Sequence, residues 1–248
     1  MTWLRLVRAE LRKLTTTKMP WGFLAVLVVI SATTAAAVLW GTDADGSKGF
    51  IATAEDQRSL MAFGLNAMIV AGLFGAIAVA REYGHGTVVP MFLAAPRRHR
   101  AVLAQFTAVL IGGALLGLIG AGLTVAAVAA SLPAVGYDFM VSAGAVTQLV
   151  AASAFAGASG AVLGAGIGAI VRNTGGAVTA AVLVLFIIPP LVVQLVPEAV
   201  SWVPGALAAV LSGVSSEVGV LAAIAVVAAW GTIPAAIGLI FVQRRDVV

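Results

Sequence analysis

One stretch of the chain gathers a mixed set of side chains able to handle protons, phosphates or metals. Val79–Gln105, VAREYGHGTVVPMFLAAPRRHRAVLAQ, holds both histidines (His85 and His99), Glu82 and four of the arginines. His85 close to Glu82 suggests acid–base work, yet two neighbours without a third group are too thin a set for catalysis. Cysteine is absent, which removes disulfides, thiol nucleophiles and thiolate metal sites. No histidine or aspartate falls within an apolar run, so the Ser–His pair, paired aspartates or zinc site of an intramembrane protease cannot be completed there. A GxxxxGK[ST] loop does not occur either, so the chain does not hold ATP through that motif. The chain itself is therefore read as having no catalytic site, cofactor or metal, and the polar stretch as a surface that binds.

The elements around that stretch are greasy. Of 248 residues 61% are hydrophobic and 10% charged, against about 45–50% and about 25% in soluble domains. A span needs about 20 apolar residues at about 1.5 Å rise each. Six runs qualify: 21–40, 60–80, 102–131, 143–171, 177–196 and 218–242, all free of charge and histidine. The expected fold is an all-α polytopic membrane protein with one transmembrane domain over 1–248.

Basic residues orient it. Arg5, Arg8, Arg12, Lys13 and Lys18 precede the first run; Arg81, Arg97, Arg98 and Arg100 follow the second. Arg172 follows the fourth, and Arg244 and Arg245 the sixth, so twelve of fourteen share one side, leaving Lys48 and Arg58 opposite. The positive-inside rule then predicts cytoplasmic termini, and the expected location is a cell membrane, multi-pass, of bacterial type. The first run exceeds the 7–15 residues of a signal h-region and is read as a span. Before it, residues 1–20 read as an amphipathic interfacial helix. Trp3, Leu4, Val7, Leu11 and Leu14 recur at helical spacing, Arg5, Arg8, Arg12 and Lys13 occupy other faces, and Glu10 lies among them. The basic side is expected to face anionic head groups, and Pro20 to break the helix where the span begins.

Gly160, Gly164 and Gly168, extended upstream by Ser153 and Gly157, form a smooth row for close helix packing, repeated by Gly113 and Gly117. Pro189-Pro190 should kink the fifth run. The segment 197–217, apolar but broken by two prolines, is expected to be an outer re-entrant helical pair. Ion-coupled carriers usually keep ionisable groups within the membrane. Here the polar groups at membrane depth are neutral, among them Asn66, Thr124, Thr147, Gln148, Ser153, Ser159, Thr179 and Gln194.

Three segments carry a family resemblance. RAELRKLTTTKMPW, REYGHGTVVPMFLAAPRRHRAVLAQ and the terminal FVQRRDVV resemble, in order and position, the permease subunits of type 2 ABC exporters (the drug and polysaccharide export class). Their first cytoplasmic loop commonly reads E-x-x-x-G-T, then a Pro followed by Arg. Gln105 departs from the Lys that many relatives carry there. The resemblance implies a half-transporter: two permease subunits, here a homodimer, with two copies of a separate ATPase that binds the ATP and magnesium. It implies that 81–101 is the coupling loop, through Glu82, Gly86, Thr87, Phe92, Pro96 and Arg98, with the N-terminal helix packed beside it. On that reading Gly84 and Gly86 permit a turn, Thr87 caps a short helix, and Val88–Leu93 make an apolar knob in which Phe92 docks the ATPase. Pro96 ends the knob, and Arg97, Arg98 and Arg100 meet head groups or acidic partner residues. Glu82 sets the angle between span and docking helix through a cationic partner. Nucleic acid is not an expected partner. The expected cargo is lipophilic or amphipathic: a drug, antibiotic, peptide or lipid. Two other classes stay open, an ATP-independent carrier or channel, and an immunity or structural membrane protein.

Overall fold

The computed structural model describes residues 3–64, 67–87 and 98–244. Within them the chain is helical, with no strand among the described residues, and six helical segments are long and apolar enough to cross a membrane.

Helix α1 (Trp3–Thr16) precedes α2 (Met19–Trp40) after a two-residue break. Where the helix stops, Thr15, Thr16 and Thr17 turn their hydroxyls back onto carbonyls of Leu11, Arg12, Lys13 and Leu14. Pro20 sits in the first turn of α2, where its missing N–H is no loss.

The second span starts earlier than its apolar run. Helix α3 (Ala54–Gly64) begins at a reciprocal cap: the Asp56 amide donates to Thr53 Oγ1 at 3.1 Å, and the Thr53 amide donates to Asp56 Oδ2 at 3.1 Å. Helix α4 (Ala67–Gly84) then carries the chain to Arg81, Glu82 and Tyr83. The third span, α5 (Arg98–Ser131), likewise begins ahead of its apolar run. The fourth, α6 (Ala143–Val171), matches its expected bounds and is capped by Ser142, whose hydroxyl accepts from the Ala145 amide.

The fifth span has three parts: α7 (Thr174–Val182), a widened turn over Leu183–Ile187, and α8 (Ile188–Leu195). Pro189 and Pro190 lie in the first turn of α8, so the ladder yields just upstream of them as a π-turn. In 197–217 a short 3-10 helix (Pro197–Trp202) leads into α9 (Pro204–Leu211). The sixth span, α10 (Val220–Arg244), contains Pro234, which the sequence reading passed over. Gly166 of α6 faces it, and a side chain at Gly166 would overlap the Pro234 backbone.

Helix α6 is the hub, packed on α4, α5 and α10. Its small-residue row serves two neighbours. Ser153 and Gly157 meet Gly117 and Gly113 of α5, while Gly160, Gly164 and Gly168 meet Met68, Gly72 and Ala76 of α4. All these approaches are made within one chain. Of the neutral polar groups, Thr124 bonds Ser31 across α2 and α5 at 3.1 Å, both buried. Thr147 and Thr179 instead bond carbonyls of their own helices. Val26, Val28 and Val29 on α2, Phe186 and Leu191 in the fifth span, and Leu221 and Ile233 on α10 are exposed, the outward apolar surface a bilayer would cover.

The two bases that leave the basic side each have local work. Lys48 Nζ donates to the carbonyls of Val38, Leu39 and Gly41 at 2.8, 3.0 and 3.0 Å, capping α2. Arg58 donates to Gln148 Oε1 at 2.7 Å, and Gln148 donates onward to the Leu211 carbonyl at 3.1 Å.

Candidate functional site

Helix α1 has three faces. At about 100° per residue, Val7 and Leu14 fall together and are buried in the bundle, against α5 and α2. Arg5, Arg8 and Arg12 fall within about 60° of one another and are exposed. Between these arcs lie Glu10 and Lys13, and they turn toward α4. This corrects the expectation that Lys13 faces head groups with the arginines; its angular position places it about 110° from their centre. Trp3 is half-buried.

Lys13 Nζ stands 2.9 Å from Glu10 Oε2 and 3.4 Å from Glu82 Oε2. The two carboxylates are largely hidden, with side chains 13% and 9% exposed, while Lys13 keeps 39% of its side chain in solvent. Thr87 Oγ1 donates to Glu82 Oε2 at 2.5 Å and reaches its main-chain carbonyl at 3.2 Å. One ammonium and one hydroxyl therefore serve two carboxylates. Burial pushes the Glu10 carboxyl above its ordinary range; Lys13 opposes that shift and the charge of Glu82 adds to it.

Glycine makes the geometry possible. At the end of α4 the His85 amide returns to the Arg81 carbonyl at 3.0 Å and the Gly86 amide to that of Tyr83 at 3.2 Å. Gly86 takes φ +66°, the left-handed region that L side chains avoid. That reversal brings Thr87 back over Glu82. Beside the cluster, a void of about 10 Å³ is walled by Glu10, Lys13, Glu82 and Gln105 among others, room for about one water. A wider cleft of about 320 Å³ adjoins it, lined by Lys13, Thr16, Thr17, Arg81, Glu82, His85 and Thr87.

A second clasp gathers three helix ends nearby. Arg172, left-handed at φ +58° where α6 stops, lays its guanidinium 5.2 Å from the Tyr83 ring and donates to the Phe241 carbonyl at 3.4 Å. Ends of α4, α6 and α10 thus meet beside Glu82.

Of the residues singled out in the sequence, Glu82, Gly86 and Thr87 come together with Glu10 and Lys13 of α1. Arg8 and Arg12 stay on the exposed face. Gly113, Gly117, Gly160, Gly164 and Gly168 lie in the packing seams above. Phe92 and Pro96, with the rest of the apolar knob and the Arg98 side chain, fall outside the described residues. Sequence reasoning missed Glu10 as a member of the cluster and Lys13 as the cation beside Glu82. The available signal was their i, i+3 spacing on a helix whose arginines already form one face. Gln105, noted only as a departure from a family pattern, lines the void.

Among the described residues no group of three His, Asp or Glu is arranged to hold a metal. The site offers an ion-pair latch between helices. No family model matches this chain, and no curated protein matches it either.

Proposed function

We propose that the protein is the membrane-spanning permease subunit of an ATP-driven exporter of the type 2 ABC class. In this reading the basic end of the bundle faces the cytoplasm. Segment 81–101 seats on a separate ATPase, which binds ATP and magnesium, and two permease chains pair with two ATPase copies. One observation carries the proposal: Glu82, buried at the end of α4, is held from α1 by Lys13 and from the entry to the polar stretch by Thr87. A force applied beyond Thr87 therefore reaches a transmembrane helix and the interfacial helix together. An ordinary positively charged loop requires no buried carboxylate at its root.

The spans support the same reading. Their charge-free interior disfavours ion coupling, so the energy comes from outside the chain. The weakly polar interior suits a lipophilic or amphipathic cargo. Segment 197–217 completes the outer side as a re-entrant helical pair. The test is co-purification with the ATPase encoded beside the gene, followed by a screen for compounds that stimulate ATP hydrolysis by the complex. Flux from proteoliposomes holding this chain alone would instead establish an autonomous carrier.

A further inference from the structure

We infer that the outward face of α1 docks anionic phospholipid head groups, and that this contact steadies the Lys13–Glu82 latch. Arg5, Arg8 and Arg12 are exposed on one arc of the helix, and none of them forms an ion pair among the described residues. Lys13, the helix's fourth base, is the one turned inward, so the face is cationic without compensation on its own element. The flanking apolar groups identify the occupant. Leu4 at 78% exposure lies about 40° from Arg8 on the helix. Trp21, 72% exposed, opens the first span.

An acidic soluble partner would leave both groups in water. A membrane interface takes the arginines at its phosphates and the leucine and indole just below them. The link supplies a further constraint: only Thr17 and Lys18 separate α1 from a span, which tethers the helix close to the membrane surface. Glu10 and Lys13 sit on the arc between the lipid-facing arginines and the buried Val7–Leu14 seam. Rotating or lifting α1 therefore moves the ammonium away from Glu82. Lipid charge becomes an input to the latch, whatever the protein transports.

The experiment is hydrogen exchange of residues 3–16 in the full chain, in nanodiscs of phosphatidylcholine alone or mixed with phosphatidylglycerol. Each arginine near an anionic surface favours it by about fivefold, so exchange should slow by at least about tenfold with phosphatidylglycerol. The effect should disappear in 1 M salt, where the screening length is about 3 Å. Substituting Arg5→Gln, Arg8→Gln and Arg12→Gln together should erase the lipid dependence, and the matching triple Lys variant should keep it. Equal exchange in both lipids, or lipid dependence that survives the triple Gln variant, overturns the inference. So does wild-type exchange that ignores lipid charge but slows on adding polyglutamate, which would assign the face to a soluble acidic partner.

Discussion

Lys13 Nζ lies 3.4 Å from Glu82 Oε2, joining α1 to the end of α4 across 69 residues of chain. The pair is partly buried, and Lys13 is also shared with Glu10. Fully buried pairs lose about 3–5 kcal/mol when one member is removed, exposed pairs far less. With Lys13 39% exposed, the screened value belongs near the low end, at about 1 kcal/mol. A double-mutant cycle of Lys13→Ala and Glu82→Ala, read by thermal unfolding in detergent, should return a coupling of about that size. Additive single effects would show that the two do not interact.

The Glu10 carboxyl supplies a pH signature. Its folded value is raised above the ordinary 4.5, chiefly by burial, with Lys13 lowering it and Glu82 raising it. Such a group favours the folded state most when protonated, and that contribution is lost as pH rises through the folded value. Glu10→Gln stays neutral throughout. The difference in melting temperature, variant minus wild type, should therefore grow as pH is raised above 4.5. A difference that shrinks over that range would assign the dominant effect to Lys13.

Glycines separate by what surrounds them. A side chain at Gly164 would overlap the Gly72 carbonyl, whereas nothing lies within 4 Å of the position a Cβ would take at Gly122. Overpacking costs about 1–3 kcal/mol, while Gly to Ala in an open helix position stabilises by about 0.5–1 kcal/mol. Gly164→Leu should destabilise the isolated single chain, and Gly122→Ala should be neutral or stabilising in the same melting assay. Loss of oligomer with an unchanged monomer melt for Gly164→Leu would place that glycine between subunits instead.

Orientation is open to labelling, because the chain has no cysteine. Cysteines introduced at Ser47 and Ser215 should react with a membrane-impermeant thiol reagent in intact cells, and one at Thr16 should not. Reaction at Thr16 would reverse the topology.

Much of the architecture was legible because an apolar run long enough to span leaves the chain few alternatives; α6 falls on its expected bounds for that reason. Helix starts among charged residues were harder. The cap at Thr53 and Asp56 extends α3 through Glu55, Asp56 and Arg58, which hydropathy alone marks as loop. The glycine row announced close packing, yet its division between α4 and α5 depends on how three helices cross. Pro234 looked like any other residue of an apolar run until Gly166 stood against it. At the site, Glu82 and Thr87 were visible as a motif. The family resemblance put the N-terminal helix beside this segment and gave Glu82 a cationic partner; that the partner is Lys13, shared with Glu10, rests on a long-range contact that periodicity does not encode.

The most direct measurement of the central claim is co-purification of this chain with the proposed ATPase partner, paired with ATP-driven transport, for two variants. Phe92→Asp, which puts a charge into the apolar sequence Val88–Leu93, should release the proposed ATPase while the chain still inserts. Glu82→Ala should keep the proposed ATPase bound but reduce transport by an order of magnitude or more, since it removes the carboxylate that Lys13 and Thr87 share. A Phe92→Asp protein that retains the ATPase at wild-type ratio and transports normally would contradict the account: the segment 81–101 would not be the coupling element.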